Sequence, residues 1–431
     1  SDGCFYHYPH LSHPSGVRLG QHASRCTTST LQQCPLPNSI YQPQSEICLK
    51  TESSHLGNTT KKIDQLPPSW VRGNHCINSG RTKYCAFTKP SFSSNEGISL
   101  ITTPKRVSKL ATGILSDKKD HTQTPQHSAS FYEDAEIPGK GIGLMATKPI
   151  RAGQRIMTRT PAVMIDRSAL DTLSEDESIA LLVQGVEALP EVHRNRYLNL
   201  TTHMTVVDRQ MKISQIFAVN SFRTGVGDQE ADFHSVFTEI SRLNHDCRPN
   251  CVYYFDPETL SNKVYAVRDI MVGEEITVSY IDGFQTSTAR RERLHEHWGF
   301  ACGCPACTAE PYLMAESDSR IEQILHLWSE LDDYSPTSTK APTPEKAELL
   351  IELYRLERLE GRLQEAYYRA AIEYLGVGKI APAMKYARLC IDSGLKFKGP
   401  GKPFITSMED ILRDPKGHKY WRFRIRKSTN T

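Results

Sequence analysis

Ser241-Arg242-Leu243-Asn244-His245-Asp246-Cys247-Arg248-Pro249-Asn250-Cys251 is the stretch on which the fold of this chain turns. Asn244 and His245 are rich in hydrogen-bond donors and sit between turn-forming residues. Such a loop can offer side-chain and backbone groups to a polar ligand, although an Asn-His pair alone also suits an ordinary turn. Its cysteines gain meaning from a second cluster downstream, Cys302-Gly303-Cys304-Pro305-Ala306-Cys307. Three thiolates this close repel one another unless a cation neutralises them or they oxidise. Tetrahedral zinc takes four such ligands, and Cys247 and Cys251 are both candidates for the fourth. A disulfide within the cluster is the competing reading.

Composition sets the outer bounds. A chain of 431 residues, 38% hydrophobic and 23% charged, is ordinary for a globular protein of two or three domains. No apolar run approaches the roughly 18 residues that a membrane span needs. With 52 Lys+Arg against 49 Asp+Glu, the net charge of +3 gives no general pull toward nucleic acid. Six cysteines, Cys4, Cys26, Cys34, Cys48, Cys76 and Cys85, precede residue 86. They read either as a disulfide framework, which needs an oxidising compartment, or as reduced thiols in a poorly ordered arm. The chain opens at Ser1, and Asn58-Thr59-Thr60 and Asn199-Leu200-Thr201 are glycosylation acceptors if it is secreted. A secreted chain with a processed leader and a cytoplasmic or nuclear one both stay open. Reduced thiolates on zinc suit the second.

Four regions follow from local pattern. Residues 1–65 are rich in Ser, Thr, His, Pro and Gln and read as an irregular arm. Residues 66–130 form a small ordered region: strands at Trp70-Val71, Tyr84–Phe87 and Gly97–Ile101, a helix over Lys105–Leu115, then a polar linker. Residues 131–310 alternate short strands and turns around a helical stretch, Ser174–Leu200, marked by Ile179, Leu182, Val183, Val186 and Leu189. Strands Val264–Val267 and Ile276–Tyr280 flank a turn at Val272-Gly273-Glu274, and Ala289–His297 reads as a helix. Residues 311–431 are helical, with helices over Ser319–Leu331, Pro344–Leu359, Gln364–Leu375 and Ile380–Ser393. Consecutive pairs joined by short turns predict a tetratricopeptide-like or generic helical bundle.

Two more segments carry chemistry. Gly139-Lys140-Gly141-Ile142-Gly143 lets backbone approach a ligand closely. It is not a dinucleotide fingerprint, because Ala146 stands where the third glycine belongs and no clean βαβ unit follows. Gly273-Glu274-Glu275-Ile276-Thr277-Val278-Ser279-Tyr280 ends a buried strand on a Tyr whose hydroxyl can face a pocket. No Walker, G-x-S-x-G or H-E-x-x-H motif occurs.

The order glycine motif, Asn-His-Asp-Cys loop, Gly273–Tyr280 strand and three-Cys tail resembles a SET domain with its cysteine-rich post-SET segment. The helical insert before the Asn-His loop is most similar to the SET-and-MYND branch and its fungal relatives, and no MYND finger spacing is present. The resemblance implies an α+β chain: a β-rich SET domain with a pseudoknot and post-SET zinc site, then an all-α domain. It implies S-adenosylmethionine-dependent methylation of protein lysine, histone or otherwise. Lys140, Gly141, Ile142 and Gly143 would form the cosubstrate loop. Asn244 and His245 would hold cosubstrate, Asn220 would join them, and Phe300 would pack on adenine. Tyr280 would be the catalytic tyrosine, lining the lysine channel with Trp298. Cys247 would complete the structural zinc site with Cys302, Cys304 and Cys307, leaving Cys251 free.

Two residues depart from the family pattern. Asp246 stands where many relatives have Ser, and Trp298 where SET-and-MYND enzymes often have Tyr. A catalytically silent peptide-binding module and a secreted, disulfide-stabilised interaction protein are therefore rival readings. The partner expected is a lysine-bearing protein or peptide, engaged by a monomer. In the tail, Arg413, Lys416, Lys419, Arg422, Arg424, Arg426 and Lys427 alternate in part with Trp421, Phe423 and Ile425. This basic stretch, 413–427, would grip an acidic partner or nucleic acid, or form an edge strand or solvated tail.

Overall fold

The computed structural model describes residues 66–116, 131–202, 205–206, 208–226, 232–332 and 343–428. The irregular arm, with Cys4, Cys26, Cys34, Cys48 and Asn58, and the linker 117–130 lie outside the described residues. In chain order the strands are β1 (Val71–Ser79), β2 (Thr82–Lys89), β3 (Ile98–Thr102), β4 (Tyr132–Ile137), β5 (Gly141–Ala146), β6 (Arg155–Arg159) and β7 (Val163–Asp166). They continue as β8 (Ser221–Thr224), β9 (Phe233–Val236), β10 (Asn244–His245), β11 (Cys251–Asp256), β12 (Ser261–Ala266) and β13 (Glu275–Val278).

One sheet runs in the order β1-β2-β3-β7-β9-β8. Strands from residues 66–116 thus continue directly into strands from 163–236, with β3 parallel to β7. Every residue of β3 and β7 is buried, which fits strands covered on both faces. Across the β1–β2 hairpin, Cys76 pairs with Cys85, and the two form a disulfide. The insert covers this sheet with helices Glu175–Glu187, Glu191–Leu198 and Arg209–Asn220. The first begins with a capping box between Ser174 and Glu177. The single helical stretch expected over Ser174–Leu200 is two helices, because Pro190 lacks an N–H and drives its predecessor out of helical geometry.

The other two sheets, β10-β13-β5-β4 and β11-β12-β6, enclose a core that includes Leu144, Ile156, Phe237, Leu243, Val264, Ile276 and Val278. β10 is only two residues long, yet it pairs in parallel with β13, setting Asn244 against Thr277 and His245 against Val278.

The expected carboxyl-terminal helices are found at Pro311–Leu331, Pro344–Leu356, Leu363–Gly376 and Ile380–Phe397. Ile321, Ile324, Leu327 and Leu331 show the helical spacing that buries one stripe. A further helix, Pro403–Arg413, which the sequence reading did not single out, buries Ile405, Met408 and Ile411.

The tail departs from both an edge strand and a free basic arm. Its described part is a turn and the short helix Phe423–Ser428, docked on helix Leu363–Gly376. Arg424 donates through Nε (3.0 Å) and Nη2 (2.6 Å) to the carboxylate of Glu373, and both side chains are buried. A Cβ on Gly376 would collide with Phe423 and Arg424, so the glycine makes room for the docked tail. At least this cation serves the fold and not a partner. Arg424→Met strands a buried carboxylate and should lower stability by about 3 kcal/mol in denaturant unfolding. Adding Glu373→Gln to that variant should restore most of the loss.

Candidate active site

Four sulfurs meet where the Asn-His loop touches the cysteine tail. Those of Cys247, Cys302, Cys304 and Cys307 all lie within 4.8 Å of one another, with Cys247 at 3.6 Å from Cys307 and 4.0 Å from Cys302. A one-turn segment, Pro305–Thr308, folds Cys307 back onto Cys304, with a 2.8 Å bond from the Cys307 N–H to the Cys304 carbonyl. The donor set is all thiol and largely buried, which fits a structural zinc ion and disfavours a hard oxygen-seeking one. Cys251 stays apart in β11, fully buried in the sheet core, where burial pushes its thiol well up. The structure thus separates the two candidates for fourth ligand.

Sequence reasoning missed Arg290. It lies on helix Ser287–Trp298, where a lone Arg reads as solvent-facing, yet it is fully buried with its guanidinium against Cys247 and Cys307. It also donates to the Gln285 carbonyl at 2.7 Å. Four thiolates around a divalent ion carry a net charge of about −2, and a buried guanidinium offsets part of it. The available signal was the spacing of Arg290 and Leu294, four apart on one buried helix face.

The parallel pairing of β10 with β13 brings the loop to the strand that leads to Tyr280. His245 Nδ1 accepts the Tyr280 backbone N–H at 3.0 Å. Its proton therefore sits on Nε2, which points at Cys247 Sγ 3.3 Å away. Burial pushes its pKa down to about 4, so the ring is neutral near pH 7. Tyr280 Oη donates to the Leu243 carbonyl at 2.8 Å, and burial holds that phenol protonated. The Tyr280 ring lies 5.3 Å from His245 and 5.5 Å from Trp298, and Phe300 lies 6.2 Å from His245. Four sequence-predicted residues thus form one aromatic wall.

The glycine loop joins them through a residue the sequence did not single out. Glu275 accepts the Asn244 amide N–H at Oε1 (2.9 Å) and pairs with Lys140 Nζ at Oε2 (2.6 Å). A Cβ on Gly143 would lie 2.6 Å from Asn244 Nδ2 and 3.1 Å from Glu275 Oε1. Gly141 has φ +74°, open space around it, and Ile142 is exposed beside it. Asn220 ends helix Arg209–Asn220, and its carbonyl accepts the Ser241 hydroxyl at 3.3 Å. Its amide nitrogen donates to the Thr201 (3.0 Å) and Ile216 (2.9 Å) carbonyls, so only its Oδ1 is left for a ligand.

Residues 141–281 match the family model described as SET domain, and the chain carries that domain. It is 30% identical over 203 residues to "Histone-lysine N-methyltransferase set5" of Schizosaccharomyces pombe, covering 46% of this chain and 58% of that protein. It is 25% identical to human "N-lysine methyltransferase SMYD2" over 320 residues, 72% of this chain and 64% of the relative. Human "Histone-lysine N-methyltransferase SMYD3" is 38% identical over 91 residues, 21% of each chain. The chain spans less than two thirds of each of these relatives.

Gly143→Ala should force the Asn244–Glu275 pair apart and lower stability by about 2 kcal/mol in thermal or denaturant unfolding. The same substitution at Gly303, where a Cβ meets nothing within 4 Å, should leave stability within about 0.5 kcal/mol of the parent.

Proposed function

We propose that this chain is an S-adenosylmethionine-dependent protein-lysine N-methyltransferase. The observation that carries the reading is the Tyr280 ring, set beside His245 and Trp298 at the end of β13 within a SET domain. S-adenosylmethionine supplies a methyl group on a cationic sulfonium. In the transfer the carbon–sulfur bond breaks as the carbon–nitrogen bond to lysine forms, and the lysine proton leaves to solvent.

The chain's residues suit that task. A sulfonium favours aromatic faces and oxygen lone pairs over cations, and the wall of Tyr280, Trp298 and Phe300 offers the first. Asn244 would hold the cosubstrate on the face next to Gly141–Gly143, with Lys140 and Glu275 bracing it. His245, neutral and anchored at both ring nitrogens, would keep the loop in register with Tyr280. Tyr280 would orient the amine, its hydroxyl fixed by the Leu243 carbonyl. The apolar rings Trp298 and Phe300 would exclude water, which disfavours the charged amine and helps it enter as the neutral nucleophile.

Further parts of the reading follow from the same geometry. The parallel two-residue pairing of β10 with β13 supports a knotted crossing of the loop and the carboxyl-terminal strand. The consecutive helices after residue 343, each packed on the next, support a tetratricopeptide-like bundle. Zinc on Cys247, Cys302, Cys304 and Cys307 would be structural and take no part in transfer. The partner is a lysine-bearing protein, and since two relatives are named for histone lysine, core histones are the first substrate to try.

The test is calorimetric titration of the zinc-loaded protein with S-adenosylmethionine, followed by labelled methyl transfer to core histones. Tyr280→Phe should keep cosubstrate affinity within about twofold and cut transfer about a hundredfold. Protein that binds no S-adenosylmethionine overturns the proposal. Metal analysis gives a separate outcome: Cys247→Ser should lose zinc, and Cys251→Ser should retain one ion per chain.

A further inference from the structure

Arg248 follows the last residue of the Asn-His-Asp-Cys loop, and its side chain is 8% exposed. Three hydrogen bonds aim its guanidinium. Nη1 donates to the Cys247 carbonyl at 2.9 Å and to the Gly283 carbonyl at 3.2 Å. Nη2 donates to Glu357 Oε2 at 2.5 Å. One side chain therefore clasps the loop that holds Asn244 and His245 and the loop that follows Tyr280.

Glu357 comes from the helical region, just after helix Pro344–Leu356, and its side chain is 2% exposed. Its carboxylate also accepts Ser317 Oγ at 2.7 Å on Oε2 and Arg320 Nε at 2.7 Å on Oε1. Ser317 and Arg320 lie on helix Pro311–Leu331, which follows the cysteine tail directly. A second contact from that helix runs the same way: Asp318 accepts the backbone N–H (2.6 Å) and hydroxyl (2.7 Å) of Ser287. Asp318 thereby caps the helix that carries Arg290 and Trp298, whose own Thr286 makes no side-chain cap.

We propose that Glu357 is a positioning residue for the active site: through Arg248 it sets the spacing of the Asn244–Cys247 and Tyr280–Gly283 loops, making the helical region a working part of cosubstrate binding. The physical reason is the expense of leaving a buried guanidinium without its counter-charge. Without Glu357, Arg248 turns toward water and releases both carbonyls, and the two loops lose their common clamp. The inference rests on the methyltransferase reading above.

The experiment is calorimetric S-adenosylmethionine binding by the full zinc-loaded chain and by Glu357→Gln, with thermal unfolding and zinc content measured alongside. Glu357→Gln should weaken binding about tenfold, within the range typical of coupling between two sites, with zinc content unchanged. Arg248→Met should weaken it similarly, and the double variant no further than either single one. Arg248→Lys, which keeps charge but loses the fork, should fall between parent and Arg248→Met. A lowered melting temperature with unaltered affinity in Glu357→Gln makes the pair purely structural and overturns the inference. No binding by the parent chain overturns the methyltransferase reading instead. Should Glu357→Gln not fold, Arg248→Lys decides: weakened binding with zinc content unchanged supports the inference, and unchanged affinity overturns it.

Discussion

Four thiols cannot ionise side by side in a buried place without a cation, and this constraint organises the site. Cys247 lies in the loop, whereas Cys302, Cys304 and Cys307 arrive from a segment beyond the helix Ser287–Trp298. Their convergence folds the tail over the loop and carries Trp298 and Phe300 onto Tyr280 and His245. Arg290 adds one positive charge beside Cys247 and Cys307. The aromatic wall thus depends on the meeting of these four sulfurs. This is why the cysteine spacing and the Asn-His loop gain meaning only together.

Much of this was legible before any fold was known. Cysteine spacing follows from coordination chemistry, and the strand ending at Tyr280 showed itself by β-branched residues after a Gly-containing turn. The choice of Cys247 over Cys251 was not readable from spacing, since the two are four residues apart and both buried. What separates them is strand register, a long-range property: Cys251 opens β11 and its side chain enters the sheet core. Arg290, Glu275 and Glu357 escaped notice for a shared reason. Charged residues are read as solvent-facing by default, and only tertiary packing shows that their partners lie far away in sequence. The basic tail misled for the same reason, because Arg424 finds its counter-ion in Glu373, fifty-one positions earlier.

The two buried pairs, Arg248–Glu357 and Arg424–Glu373, have a common logic. Desolvation cancels much of the attraction in such a pair, so its contribution to net stability is small compared with the penalty for breaking it. Both pairs have side chains no more than 8% exposed, and both join segments far apart in sequence. They act as register marks: any other docking of the helices strands a charge. Hydrophobic stripes such as Ile321, Ile324, Leu327 and Leu331 hold the helices together but tolerate sliding. The ion pairs do not.

The six-stranded sheet bears on how the molecule can be divided. β3 supplies one hydrogen-bonding edge of β7, whose other edge is taken by β9. A fragment begun at Phe131, where the SET-like pattern starts in sequence, would lack β1 to β3. It would present the bare backbone edge of β7 and the apolar side chains of Val163, Met164 and Ile165, all buried in the intact chain. Such an edge recruits other strands, and the readiest source is another copy of the same fragment. The smallest separable piece is therefore larger than the homology-matched domain, and its boundary is drawn by strand order rather than by sequence similarity.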